Sequence, residues 1–299
     1  MLSFHPLAIE DKQWIDERVF AFNSRSADFN FGSMFMWDGK YRQLVCDCGG
    51  RLIVLAHAGE APIYPFPAGD GDLKTAVTEM RLYADAQGFP LVIRGVEEPQ
   101  VSELDLLFPG EFSFTEDTEY ADYVYQTEKL ASLAGKKLHA KRNFINRFVA
   151  SHDWRFERLD LRHFPDCARL LESWDEGRLV SDPAGVEEEH RAIFRAFEYY
   201  DELKLIGGAL YAEDKLIAFT MGEKICSDTM DVHFEKASAG IDGAYPMINR
   251  EFSRLVSEAM PEITYLNRED DMGYENLRTA KQSYHPEFMV RKFTARHVI

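Results

Sequence analysis

The densest run of chemically capable side chains in the sequence is Asp231-Val-His-Phe-Glu235. Strand alternation places Asp231, His233 and Glu235 on one face and Val232 and Phe234 on the other. A histidine or a desolvated glutamate can serve as the general base that takes a proton from an attacking nucleophile. His233 and Glu235 are therefore the candidate bases, and a solvated strand face is the ordinary alternative. Lys236 and a small-residue loop, Ala237-Ser-Ala-Gly-Ile-Asp-Gly-Ala244, follow directly. Its backbone N–H groups suit close approach by a phosphate or an acyl carbonyl. Lys236, Gly240, Gly243 and Tyr245 are the candidate donor contacts there, although a plain connecting loop has the same composition.

A second group lies in Asn267-Arg-Glu-Asp-Asp-Met-Gly273 and the helical pattern Tyr274–Tyr284 that follows. Arg278, Lys281 and Tyr284 recur at three-residue intervals, near one helix face. Arg268, Arg278 and Lys281 are candidates to hold a phosphate or carboxylate, and Tyr284 is the candidate titratable group on the same face. The competing reading pairs Glu269 and Asp271 with these cations in a structural network and makes Tyr284 a capping aromatic at His285-Pro286. A third group is the basic stretch Leu133–Phe148, LAGKKLHAKRNFINRF. On a helix, Leu138, Ile145 and Val149 form a packed stripe beside Phe144 and Phe148, leaving Lys136, Lys137, Lys141, Arg142 and Arg147 on the flanks. Lys137, Lys141 and Arg142 are candidates to hold a polyanionic donor over Glu235; otherwise the helix balances nearby acidic surface.

The rest of the composition excludes several classes. A formal net charge of -17 argues against nucleic-acid binding by the whole surface, though not by a local basic groove. Four cysteines, Cys46, Cys48, Cys167 and Cys226, lack the spacing of a disulfide framework or a structural zinc site, and they read as reduced thiols. The nine histidines show no i, i+4 ligand pair, so no metal is expected. No Ser-His-Asp or Cys-His spacing signals a covalent intermediate. No apolar run reaches the roughly 18 to 20 residues of a membrane span, and a cytoplasmic location without an integral membrane segment is expected.

The elements that must position these groups recur in order. The first half reads as a helical segment over Pro6–Phe29, short strands Arg42–Asp47, Arg51–Ala56 and Pro62–Phe66, helix Leu73–Ala86, strand Leu91–Arg94, helix Pro99–Leu107 and a strand at Phe112–Phe114. The second half has helices Arg162–Asp175 and Val186–Tyr200, strands Leu203–Ala212, Lys215–Ile225 and Thr229–Lys236, helix Pro246–Met260, strand Ile263–Asn267, helix Tyr274–Tyr284 and strand Phe288–Ala295. A shift of 172 positions superposes Gly69-Asp70-Gly71 on Ile241-Asp242-Gly243. The expected fold is α/β (α+β): two tandem domains with mixed sheets related by internal duplication, at residues 1–125 and 151–299, joined by a basic connecting helix at 126–150.

This organisation resembles the GCN5-related N-acetyltransferase fold, in which the loop after the fourth strand and the next helix's N-terminus hold the donor's pyrophosphate. Three stretches sharpen the resemblance: YQTEKLASLAGKKLHAKRNFINRF, HFEKASAGIDGAYPMINREF and YLNREDDMGYENLRTAKQSYHPEF. They are similar to the bacterial family related to the C-terminal domain of phosphatidylglycerol lysyltransferase, itself similar to the Fem peptidyltransferases. The resemblance implies an acyl- or aminoacyl-transferase without a tightly bound cofactor, in which Tyr284 is similar in position to the acid that protonates the leaving group in many acetyltransferases. Its consumable donor would be acyl-CoA or aminoacyl-tRNA, and its acceptor an amine or hydroxyl of a small molecule, peptide or lipid. The loop departs from the Arg/Gln-x-x-Gly-x-Gly/Ala pattern of coenzyme A-binding acetyltransferases. The alternative function is a noncatalytic module that keeps the fold and binds a nucleotide, a tRNA end or a peptide.

Overall fold

The computed structural model describes residues 2–57, 59, 61–174 and 182–298. Local sequence accounts for most of the elements. Helix Leu73–Gln87 starts where the Asp72 carboxylate accepts from the Thr75 N–H and ends at Gly88, whose φ of 78° is the left-handed conformation that glycine adopts freely. Between them Leu73, Ala76, Val77, Met80 and Ala84 make a buried stripe. Helix Ala244–Ala259 likewise buries Ala244, Met247, Ile248, Phe252 and Val256. The second-half helix near Arg162 runs over Phe164–Trp174, and Asp175 lies outside the described residues.

The strands are β1 (His5–Pro6), β2 (Leu44–Cys48), β3 (Arg51–Leu55), β4 (Tyr64–Pro65), β5 (Ala68–Gly69), β6 (Val92–Glu97), β7 (Phe112–Glu116), β8 (Asp122–Gln126), β9 (Trp154–Arg158), β10 (Ile206–Ala212), β11 (Lys215–Lys224), β12 (Thr229–Ala237), β13 (Tyr265–Asn267), β14 (Phe288–Val290) and β15 (Lys292–His297). The chain divides into two compact units. The first comprises Met1–Asp122, Asp270–Tyr274 and Met289–Ile299, and holds two four-stranded sheets, ordered β1-β2-β3-β5 and β4-β6-β15-β7. Ile15, Phe31, Ile53, Tyr64, Met80 and Ile93 are buried in its interior. The second comprises Tyr123–Glu269 and Glu275–Phe288, built on the sheet ordered β14-β8-β13-β12-β11-β10-β9. Tyr125, Phe148, Phe219 and Phe252 fill its core, each contributing about 1.5–3 kcal/mol by leaving water.

The architecture is mixed α/β, with mixed sheets, as expected. The division of the chain differs from boundaries at 125 and 150 in two ways. The basic segment is two helices, Thr127–Ser132 and His139–Ser151, because Leu133 (φ 51°) and Gly135 (φ 93°) turn left-handed and end the first; both belong to the second unit. The final stretch Phe288–Ala295 is two strands in different sheets. β8 closes the first half of the chain yet lies between β13 and β14, while β15 closes the second half and lies between β6 and β7. The halves thus exchange their last strands. A buried ion pair helps hold β15: Lys292 Nζ sits 2.8 Å from Asp28 and 2.7 Å from Asp122, and the other Asp122 oxygen accepts from the Ala27 N–H.

Candidate active site

β12 carries the first group of candidates. Its register with β11 shifts: Met221 faces Phe234 but Gly222 faces Val232, so His233 is the extra residue of a bulge. Gly222 makes the bulge possible, since a Cβ there would collide with the Asp231 carbonyl oxygen. On its other edge β12 pairs with β13 only at Thr229↔Tyr265, Met230↔Leu266 and Asp231↔Asn267. β13 ends there, while β12 runs on through Val232–Ala237.

Where that ladder stops, side chains take over. Arg268 Nη2 lies 2.8 Å from Glu235 Oε1, and Asn249 Nδ2 donates to Glu235 Oε2 at 3.2 Å. The Arg268 guanidinium stands 5.0 Å from the Tyr284 ring centroid and 5.7 Å from that of Tyr125. Lys141 Nζ lies 4.0 Å from the Tyr284 ring centre. Two bonds anchor the helix Glu275–Gln282 to this group: Lys281 Nζ donates to the Arg268 carbonyl at 2.6 Å, and the Tyr125 hydroxyl donates to the Lys281 carbonyl at 2.8 Å. Among the sequence candidates, Glu235, Arg268, Tyr284, Lys141 and Lys281 therefore converge. Tyr125 and Asn249, absent from the candidates, join them; they lie 110 and 14 residues from Glu235 in the chain (235 − 125 and 249 − 235), and no local pattern marks them.

The site is buried and charged. Burial works against the Arg268 charge, but Glu235 and the two tyrosine oxygens outweigh it and hold the guanidinium above its ordinary value. Burial, then the neighbouring Arg268, lowers the Lys141 ammonium, with Glu235 opposing. Burial drives the Tyr284 phenol well above the ordinary tyrosine value despite Arg268, so it keeps its proton at neutral pH. Arg268 Nη1 is buried and has no hydrogen-bond acceptor among the described residues, an open donor on a guanidinium that stands against the Tyr284 ring.

His233 belongs to a neighbouring cluster. Its Nε2 is 3.1 Å from Glu223 Oε1, and its Nδ1 is 3.4 Å from Asp231 Oδ2 and 3.6 Å from Glu269 Oε1. Burial opposes charge on this ring, but Asp231, Glu223 and Glu269 prevail and raise it well above 6.5. The other candidates have separate surroundings. Lys236 pairs with Glu189 at 2.6 Å, and Arg278 pairs with Glu275 at 3.6 Å. Arg142 donates to the carbonyls of Leu133 and Gly135 and so closes the turn between the two helices. Lys137 and Gly240 are exposed, and Tyr245 is half-buried. Gly243 has a φ of 89° and touches the helix His139–Ser151, where a Cβ would press on the Phe144 carbonyl and Phe148 Cβ. Glycine thereby brings the basic helix against the N-terminus of helix Ala244–Ala259.

The fold is that of the tandem acetyltransferase-like class. Within that class the chain belongs to the family described as "Phosphatidylglycerol lysyltransferase, C-terminal", whose profile matches residues 20–296. A conserved protein of unknown function from Bacteroides thetaiotaomicron is 34% identical, with a TM-score of 0.95 and 100% of each chain covered. The C-terminal domain of a putative lysylphosphatidylglycerol synthetase from Agrobacterium fabrum is 16% identical, with a TM-score of 0.69 over 97% of this chain and 92% of that one. FemX shares the fold at 8% identity, with a TM-score of 0.62 over 99% and 97% of the two chains. An uncharacterised protein of Mycoplasmoides gallisepticum is 26% identical over 180 residues, 58% of this chain, and the match spans about half (54%) of that protein's length. No helix among the described residues is long and apolar enough to cross a membrane.

Proposed function

We propose that the second unit transfers an aminoacyl group directly from aminoacyl-tRNA to an amine or hydroxyl of a small-molecule, peptide or lipid acceptor. The observation that carries this reading is the open, buried Nη1 of Arg268, on a guanidinium packed against the ring of Tyr284, whose phenol keeps its proton. The acceptor's nucleophilic atom attacks the ester carbonyl, and Glu235, held by Arg268 and Asn249, takes its proton. Arg268 and Lys141 face the negative charge that grows on the carbonyl oxygen, in a buried setting where such charges act strongly. As the tetrahedral species collapses, Tyr284 protonates the departing ribose oxygen. The loop before helix Ala244–Ala259 and the adjoining basic helix suit the phosphates of the tRNA end.

Acyl-CoA is the weaker donor in this reading, because the loop Lys236-Ala-Ser-Ala-Gly-Ile-Asp-Gly243 lacks the coenzyme A pattern. Tyr284→Phe and Glu235→Gln test the roles. Each is expected to slow release of labelled amino acid from charged tRNA in the presence of cell-extract acceptors by about 10²-fold or more. Full activity in both variants contradicts the assignment. Binding of charged tRNA with no turnover by the unaltered chain supports a noncatalytic module instead.

A further inference from the structure

We propose that Asp231, His233 and Glu269 form a binding site for one divalent transition-metal ion of the Zn2+ type. One donor atom from each residue lies within 4.8 Å of the other two. One imidazole nitrogen with two carboxylate oxygens is a donor set that suits such an ion and leaves a fourth position open.

The orientation of His233 is the second, independent observation. Its Nε2 is held by Glu223 Oε1 at 3.1 Å, which fixes the ring and turns Nδ1 toward Asp231 and Glu269. A metal-bound histidine is commonly held this way, its far nitrogen donating to a carboxylate. Nδ1 itself is buried, in a side chain only 1% exposed, and makes no hydrogen bond among the described residues. Its distances to the two carboxylates, 3.4 Å and 3.6 Å, are long for charge-assisted hydrogen bonds. They match the roughly 3.4 Å that separates neighbouring donors around a tetrahedral ion with bonds of about 2.0–2.1 Å.

Charge points the same way. Three carboxylates surround one ring; a dication at Nδ1 offsets Asp231 and Glu269 and leaves Glu223 to accept from Nε2–H. The side chain of Asp231 is fully buried while that of Glu269 is 35% exposed, so Glu269 forms the mouth. Two features of the fold build the site: the bulge on β12 that sets His233, and the left-handed turn at Glu269 (φ 55°) just after β13. An ion here would fix that turn and, with it, the adjoining Arg268. The site has no helical ligand spacing, because the donors come from alternate residues of a strand and from a turn further along the chain.

Equilibrium dialysis of the full chain, first stripped with a chelator and then exposed to Zn2+ alone, tests the site when bound metal is measured by mass spectrometry. One equivalent per chain is expected. Glu269→Gln, at the exposed mouth, should weaken binding by at least about tenfold. His233→Gln, which keeps an amide near Glu223 but loses Nδ1, should weaken it further; if that variant fails to fold by circular dichroism, Glu269→Gln decides. Substoichiometric binding by the unaltered chain overturns the proposal and leaves an imidazolium among carboxylates. Stoichiometric binding that Glu269→Gln leaves unchanged also overturns it, by placing the ion elsewhere.

Discussion

Tyr284 shows how one side chain is prepared by its surroundings. Burial raises its phenol, and the same cause raises Tyr64, Tyr125 and Tyr200. A group whose folded value is raised contributes stability that is complete below its ordinary value, here 10.0, and is lost as pH rises through the folded one. Ultraviolet titration of the native chain should therefore leave these four tyrosines un-ionised at pH 10.0, while the urea-unfolded chain ionises all of its tyrosines together. Stability to urea should fall as pH rises beyond 10.0. Equal ionisation in the two states at pH 10.0 would contradict the burial on which the acid role proposed for Tyr284 depends. The residue types of the site were readable: Glu235, Arg268, Lys281 and Tyr284 stand out by chemistry and spacing. Their grouping was less so. Lys236 lies beside Glu235 in sequence but pairs with Glu189, because adjacent strand residues point to opposite faces.

At the level of elements, the bulge is the decisive departure from regular alternation. Strict alternation puts Asp231, His233 and Glu235 in one row; the shift at Met221/Gly222 instead leaves His233 opposite no single β11 residue. It lies in its own carboxylate cluster, while Glu235 meets Arg268. Gly222→Ala is expected to cost about 1–3 kcal/mol in urea unfolding, since the Cβ has only backbone to displace. Gly240→Ala, where a Cβ meets nothing within 4 Å, should be nearly neutral. Equal effects from the two would remove the argument for a glycine-dependent bulge. The antiparallel run β10–β11–β12 and the helices Leu73–Gln87 and Ala244–Ala259 were legible within a few residues, because each is specified by local periodicity and caps. The bulge was not, since it depends on the facing strand.

For the whole molecule, the least legible feature is which sheet each strand joins. Residues 122–126 carry no marker of pairing with Tyr265–Asn267, and the C-terminal strand gives no local hint that its partners are β6 and β7. Strand exchange is a long-range choice, and here buried charge reinforces it. Lys292→Met removes the ammonium that lies 2.7 Å from the buried Asp122 carboxylate and is expected to destabilise the first unit by about 3–5 kcal/mol. Hydrogen exchange should show the loss as faster exchange in the β6 and β7 amides, and unchanged exchange there would contradict it. The proposed aminoacyl transfer is tested by presenting the full chain with aminoacyl-tRNA and acetyl-CoA, each labelled on its acyl group, together with amine and hydroxyl acceptors from cell extract. The predicted result is amino-acid label leaving tRNA and appearing on an acceptor while acetyl label stays on its carrier. Acetyl label moving while the aminoacyl-tRNA remains intact would rule out aminoacyl-tRNA as the donor.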